Sequence, residues 1–194
     1  VANYDVAIGG ATGAVVNAVT KSGGNDFHGS VYGTYRENDW SGENQAGDKP
    51  EIFDTDETYG GTFGGPLIED RLFFFVNYEK TKYKGVGTNF GPTGSDATNI
   101  VPITQAQIDE VIAISRDVWG WDPGELTLPE SLDTTSEEIG IKLDWNISDQ
   151  HRASLRYSSS EQSQANIVGF GTNSLALSGY LYQRDFDFES TTAQ

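Results

Sequence analysis

No cysteine occurs among the 194 residues, which excludes a disulfide framework, a thiol nucleophile and any cysteine-based zinc or iron–sulfur site. Methionine is absent too, position 1 included, so Val1 does not read as a translation start and the chain is expected to be part of a longer one or a processed product. Two histidines, His28 and His151, are too few for most histidine-based metal centres. No run of 18 apolar residues exists, so no transmembrane helix is expected. Basic residues are scarce: 12 Lys and Arg stand against 29 Asp and Glu, a net charge of −17. A chain of that sign offers no basic face for phosphate, which excludes nucleic acid as a partner. What is present is β-forming. The 23 glycines, the aromatic share of 12% and the many Ser and Thr favour strands over helices.

Six segments alternate with a period of two. In Phe27–Arg36, Phe27, Gly29, Val31, Gly33 and Tyr35 share one face, and His28, Ser30, Tyr32, Thr34 and Arg36 share the other. Thr58–Gly65 sets Tyr59, Gly61 and Phe63 against Thr58, Gly60 and Thr62, and ends at Pro66. Leu72–Lys82 follows after a short Glu69-Asp70-Arg71 connection, with Leu72, Phe74, Val76 and Tyr78 opposite Phe73, Phe75, Asn77 and Glu79. Glu138–Asn146 opposes Ile139, Ile141, Leu143 and Trp145 to Gly140, Lys142 and Asp144. After a short turn, His151–Ser160 opposes Ala153, Leu155 and Tyr157 to Ser154, Arg156 and Ser158. The last strand groups Tyr180, Tyr182, Phe186 and Phe188 against Gln183, Asp185, Asp187 and Glu189, with Arg184 an exception on the aromatic side.

Between these lie three long polar connections. The first, Glu37–Glu57, is acidic with Lys49 as its one cation. The second, Gly85–Glu137, is expected to be mostly irregular around one helix. Thr104 and Gln107 have capping-box spacing, Ile108, Val111, Ile112 and Val118 form an apolar stripe, and Gly120 with Pro123-Gly124 stops the helix. The third runs from Glu161 to about Ser178.

Long and short connections therefore alternate and segregate to opposite ends of an up-and-down meander, as in outer-membrane barrels. Phe27, Phe74 and Trp145 fall at the short-turn end and Tyr35 and Tyr59 at the long-loop end, where interfacial girdles sit. A soluble antiparallel sandwich produces the same alternation. Loop asymmetry, girdles and charge on the inward face favour the membrane barrel. Six strands do not close a barrel, which takes at least about eight, so the other strands come from elsewhere in the protein. The expected fold is all-β: about six strands of a larger transmembrane antiparallel barrel, with one short helix in an extracellular loop. The lumen face is assigned His28, Ser30, Tyr32, Arg36, Asn77, Glu79, Lys142, Asp144 and Arg156. The lipid face or girdle is assigned Phe27, Val31, Tyr35, Tyr59, Phe63, Phe74, Ile141, Trp145 and Tyr157.

The stretch Gly9–Gly29, GGATGAVVNAVTKSGGNDFHG, reads as a junction where a compact domain ends and barrel wall begins, with Gly23-Gly24 supplying the turn. Its spacing is not that of a phosphate-binding loop. It resembles the plug-to-barrel junction of TonB-dependent outer-membrane receptors, the Oar-like branch above all, through Val16–Ser22, Gly24-Asn25-Asp26 and Phe27-His28-Gly29. A second matching block is Tyr59–Ile68 with Asp70 and Leu72–Glu79 (LFFFVNYE). The two blocks cover about a third of the chain. The resemblance implies a barrel of around 22 strands filled by an N-terminal plug, with residues 1–25 the end of the plug and 26–194 the first part of the barrel. It implies import of an extracellular ligand driven by TonB with ExbB and ExbD, acting through an N-terminal part outside this sequence, in a Gram-negative outer membrane. Lipid and lipopolysaccharide are then the surroundings, and the ligand is unidentified.

No catalytic constellation is found: His28 has no acid or nucleophile motif beside it, and no enzyme activity or cofactor is expected. Asp54, Asp56 and Glu57 are candidate calcium ligands without EF-hand spacing, weighed against a solvated acidic loop. Besides the receptor, two other functions fit: an outer-membrane adhesion or surface-scaffold barrel using its acidic loops, and a soluble β-sandwich binding module.

Overall fold

The computed structural model describes residues 21–49 and 53–194. Gly9–Gly13 and Val15–Thr20 of the junction lie outside the described residues. Six antiparallel strands form one sheet in the order β1-β2-β3-β6-β7-β8: β1 His28–Glu37, β2 Phe53–Ile68, β3 Leu72–Val86, β6 Ser131–Ser148, β7 His151–Asn166 and β8 Tyr182–Ala193. Every neighbouring pair follows the chain, so the sheet is an up-and-down meander. β4 Phe90–Thr93 and β5 Asn99–Thr104 make a separate parallel pair, and α1 Gln105–Asp117 follows directly. No helix among the described residues is long and apolar enough to cross a membrane.

The alternation locates the strands but underestimates their length. At the long-loop end β2 begins at Phe53 instead of Thr58, β3 runs to Val86, β6 begins at Ser131 and β7 runs to Asn166. The reason is chemical. Period-two patterning shows only where one face is continuously apolar, and these extensions are mostly polar on both faces, with Phe53, Tyr83, Val86 and Leu132 scattered among them. They pair through cross-strand contacts instead, such as Lys80 with Glu137 at 2.6 Å and Lys84 with Asp54 at 2.8 Å. β4 and β5 carried no such signal and were expected to be irregular.

Directly opposed residues share a face, so the register defines rows running across the sheet. One row joins Gly29, Phe63, Val76, Ile141 and Tyr157, and the next joins Val31, Gly61, Tyr78, Ile139 and Ser159. On the opposite face, Ser30, Thr62, Asn77, Gly140 and Ser158 form one row, and Tyr32, Gly60, Glu79, Glu138 and Ser160 another. β8 departs from expectation. Tyr182, Phe186 and Phe188 pair with Asn166, Gln162 and Ser160, which puts them on the polar face with Tyr32 and Glu79. Alternation separates two faces without saying which is which, and the β7–β8 register decides. Asp185, Asp187 and Glu189 then join the face of Glu137 and Glu161, where Tyr157 Oη donates to Glu189 at 3.1 Å. Arg184 is no exception there: its guanidinium lies 6.0 and 5.6 Å from the Tyr182 and Phe186 ring centroids. Tyr180 falls in a short 3-10 turn before the strand.

The buried apolar side chains sit mostly away from the sheet. Val101, Ile108, Ile112 and Ala176 are buried, and Pro123 is fully so. They unite the β3–β6 and β7–β8 connections into one cap. Leu126 bridges Leu177, Ser178 N donates to Glu125 O at 2.7 Å, and Gly179 N donates to Pro123 O at 3.1 Å.

One packing detail constrains the polar face. Tyr32 lies across Gly60, where a Cβ would come within 2.6 Å of the ring, and its hydroxyl donates to Glu79 at 2.5 Å. Gly60→Val should therefore cost roughly 1–3 kcal/mol through overpacking. The same change in a Tyr32→Ala background should recover only part of that cost, because a Cβ at 60 would still stand 2.7 Å from the Tyr78 carbonyl, read as the urea midpoint of the heat-modifiable band of the full-length protein.

Candidate functional site

The site is the polar face where the junction segment lies on it. Residues 21–27 run over the ends of β2, β3 and β6. Lys142 of β6 donates to Ser22 Oγ at 2.6 Å and pairs with Asp144 at 3.1 Å, both side chains being three-quarters or more shielded. Gly23 lies against the sheet: a Cβ there would stand 3.0 Å from the Gly65 carbonyl and 3.1 Å from Phe73 Cβ. Glycine at 23 thus serves close approach, and the chain bends one step later, at Asn25-Asp26. Phe75 is buried on this face, at 7% exposure, and Lys21, Lys142 and Arg156 surround it with Asn77 and Gly140.

Three polar contacts and an aromatic stack then hold the chain as it enters β1. Asn25 bonds Asp70 twice, its side-chain amide to the carboxylate at 2.6 Å and its oxygen accepting from Asp70 N at 2.8 Å. Asp70 occupies the left-handed region, φ 61°, in the β2–β3 turn, a conformation Asp tolerates better than most residues. Asn146 holds the same turn from the other side, donating to Asp70 O at 3.1 Å. Phe27 reaches over to the other face, stacked 5.9 Å from Phe63 and tilted against Phe74 at 6.4 Å. Sequence reasoning missed Ser22, Asn25 and Asp70 as a fastening. Their partners are distant in the chain, and nothing local marks them.

The residues assigned to the lumen fall on one face. His28, Ser30, Tyr32, Arg36, Asn77, Glu79, Lys142, Asp144 and Arg156 all lie in rows of the same parity. Val31, Tyr35, Tyr59, Phe63, Phe74, Ile141, Trp145 and Tyr157 fall on the other. The first set splits into clusters. Ser30 meets Thr62 at 2.8 Å, Tyr32 meets Glu79, and Arg36 pairs with Asp56 while its guanidinium lies over Phe53. His28 Nδ1 is 3.1 Å from Asp26 O, a contact within its own bend. Of the calcium candidates, Asp54 pairs with Lys84 and Asp56 with Arg36. Among the described residues no three His, Cys, Asp or Glu side chains gather to hold a metal.

One atom is left over. Asp144 Oδ2 is buried and has no hydrogen-bond partner among the described residues, a state that costs about 1–3 kcal/mol until a donor arrives.

Comparison with known proteins fits this geometry. Residues 19–108 match the model of the outer membrane beta barrel domain. β1 to β5 lie within that match, and the sheet has the fold of outer-membrane barrel wall. The resemblance to Oar-like TonB-dependent receptors holds beyond the two motif blocks. The chain is 27% identical to the TonB-dependent transporter Oar of Myxococcus xanthus over 97% of its own length, and it spans 18% of that relative. No solved structure matches the chain. Membership of this wall in the Gram-negative outer membrane sets aside the soluble sandwich.

Outside the sheet, Arg116 clasps the end of α1 to the cap, bonding Asp122 and Glu125 at 2.9 Å each. The Gly124 backbone N–H, and Arg116 after it, hold the Asp122 carboxyl below the usual range. A depressed carboxyl stabilises the fold above its unfolded pKa, and the effect is lost as pH falls through the folded value. Hydrogen exchange at Trp121–Glu125 should accordingly be pH-independent in intrinsic-rate-corrected terms near neutrality and rise below about pH 4.

For the polar face, Lys142→Met should destabilise by roughly 3 kcal/mol because it strands Asp144. Adding Asp144→Leu should recover much of that loss in denaturant titration of the full-length protein.

Proposed function

We propose that this chain is the hand-over from plug to barrel in a TonB-dependent outer-membrane receptor. Residues 1–25 are the end of the plug, and 26–194 are the first wall strands with their extracellular loops. The receptor binds an extracellular ligand and imports it with energy passed by TonB, ExbB and ExbD through the N-terminal plug. It catalyses no reaction itself. The observation that carries this reading is the junction segment seated on the polar face, with its lysine-to-serine bond at 2.6 Å.

The opposite face is the lipid face in this reading. From Leu72 to Lys80 is roughly 26 Å of strand, or about 20 Å across the membrane at a 35–45° tilt, near the ~25 Å apolar band of such barrels. Val31, Phe63, Ile141, Trp145 and Leu155 within it are all exposed, and they need an apolar surrounding. Asp144 Oδ2 awaits a donor from the plug. The polar face is the lumen, where His28, Ser30, Asn77, Glu79 and Arg156 meet plug or water.

The acidic, structured cap favours one competing function, a barrel that serves as an adhesin or surface scaffold. Labelling separates the two. In whole cells producing the full-length receptor, Ser160→Cys on the lumen face should react with a membrane-impermeant maleimide several-fold faster when TonB is present and energised. Ile141→Cys should react only with a lipid-phase reagent. Equal Ser160→Cys labelling with and without TonB would remove the transport reading and leave the scaffold.

A further inference from the structure

Helix α1 carries two apolar stripes where the sequence suggests one. Ile108 and Ile112 are buried in the cap, while Val111, Ile114 and Val118 are exposed at 52%, 46% and 71%. At about 100° per residue the exposed three lie within roughly 60° of each other, and the buried pair is roughly 100° around the helix. The second stripe is therefore left half to mostly exposed. At the N-terminal end of α1 it opens into a groove of about 380 Å³ lined by Val101, Ile103, Ile108, Val111, Leu175 and Leu177, with Gln107 and Asn173 among its polar groups. That volume lies in the range of ligand pockets. At the other end stand Trp119 and Trp121, also exposed.

Charge selects what fits. Residues 87–130 hold seven carboxylates and the single cation Arg116, and residues 167–181 hold no charge at all. Arg116 is committed to Asp122 and Glu125. Glu110 and Asp117 border the exposed stripe on its outer side by the same helical geometry, and neither has a basic partner among the described residues. Each indole face beside them adds attraction for a cation. Length selects as well. Val111 to Val118 is about 10 Å along the helix axis, a span that three to four residues of extended peptide cover.

We propose that the groove and the exposed stripe of α1 together bind an extended cationic peptide with alternating apolar side chains. An apolar side chain enters the groove, further ones lie along Val111, Ile114 and Val118, and lysine or arginine heads meet Glu110, Asp117 and the indoles. The proposal rests on the long-loop end facing the exterior, as the transport reading has it.

The test uses the full-length receptor in lipid nanodiscs and fluorescence anisotropy of a labelled peptide of alternating Leu and Lys. It should bind, weaken in high salt, and exceed the Leu–Glu and Gly–Lys peptides by at least about tenfold. Val111→Lys should reduce binding at least about tenfold while leaving heat-modifiable migration unchanged, since the side chain is half exposed. Comparable binding of the Leu–Glu peptide, or undiminished binding by Val111→Lys, overturns the proposal. So does protection of Val111→Cys from impermeant maleimide in whole cells, which would mean that the receptor's own other loops cover the stripe. Binding needs no TonB, so a TonB-independent result for lumen labelling would sink the transport reading and leave this one standing.

Discussion

Direct opposition of residues across paired strands is the constraint on which the rest of the structure depends. Lipid offers no partner for a backbone amide, so a wall must satisfy its N–H and C=O groups strand to strand. Once the register does that, every second side chain on six strands is committed to one face together. A slip of one residue between β3 and β6 would carry Lys142 and Asp144 to the apolar face and Ile141 and Leu143 to the polar one. The apolar rows and the seat of the junction segment are thus two consequences of one register. Neither survives without the other.

The junction shows how a short segment is held without a core. Residues 21–27 bury almost nothing themselves. They are fixed by Lys142 at one end, by Asn25 on the Asp70 turn in the middle, and by Phe27 on Phe63 and Phe74 at the other. Polar contacts on one face and an aromatic stack on the opposite face are joined by a bend at Asn25-Asp26. The segment therefore passes around the end of the sheet, and it is held from both sides. Each hydrogen bond contributes only about 1 kcal/mol net. Several acting on seven consecutive residues give a position that no single loss would release.

How much of this was legible depended on whether a signal was local. Strand identities and loop alternation were, because period two is written into consecutive residues such as Ile139, Ile141, Leu143 and Trp145. The capping box of α1 was also legible: Thr104 and Gln107 bond reciprocally as their spacing suggests. The strand extensions were not, since Ser131–Glu137 is polar apart from Leu132 and pairs by contacts with residues some fifty positions away. The face of the β8 aromatics was not, because a pattern of two fixes a partition and only the neighbour's register fixes its sign. Helix α1 fell between. Ile108, Val111, Ile112 and Val118 read as one stripe by spacing, yet the cap covers only Ile108 and Ile112.

The acidity of the chain gains meaning from where it is missing. Charged residues make up 21% of the sequence, yet the apolar face carries none on β1–β7 through four consecutive rows. Those rows run from that of Leu72, Trp145 and Ala153 to that of Val31, Tyr78 and Ile139. A face turned to water has no reason to clear charge from such a band. The next row up contains Lys80, Glu137, Glu161 and Asp187, and acids continue into the cap. At that boundary β3 supplies Lys80, Lys82 and Lys84 in succession on the same face, and Lys80 and Lys84 each pair with a carboxylate. A column of cations at the edge of the cleared band lowers the repulsion among the acids above it. The same strand that supplies Leu72, Phe74, Val76 and Tyr78 to the apolar face thus neutralises the acidic rim just above it, through side chains two residues apart.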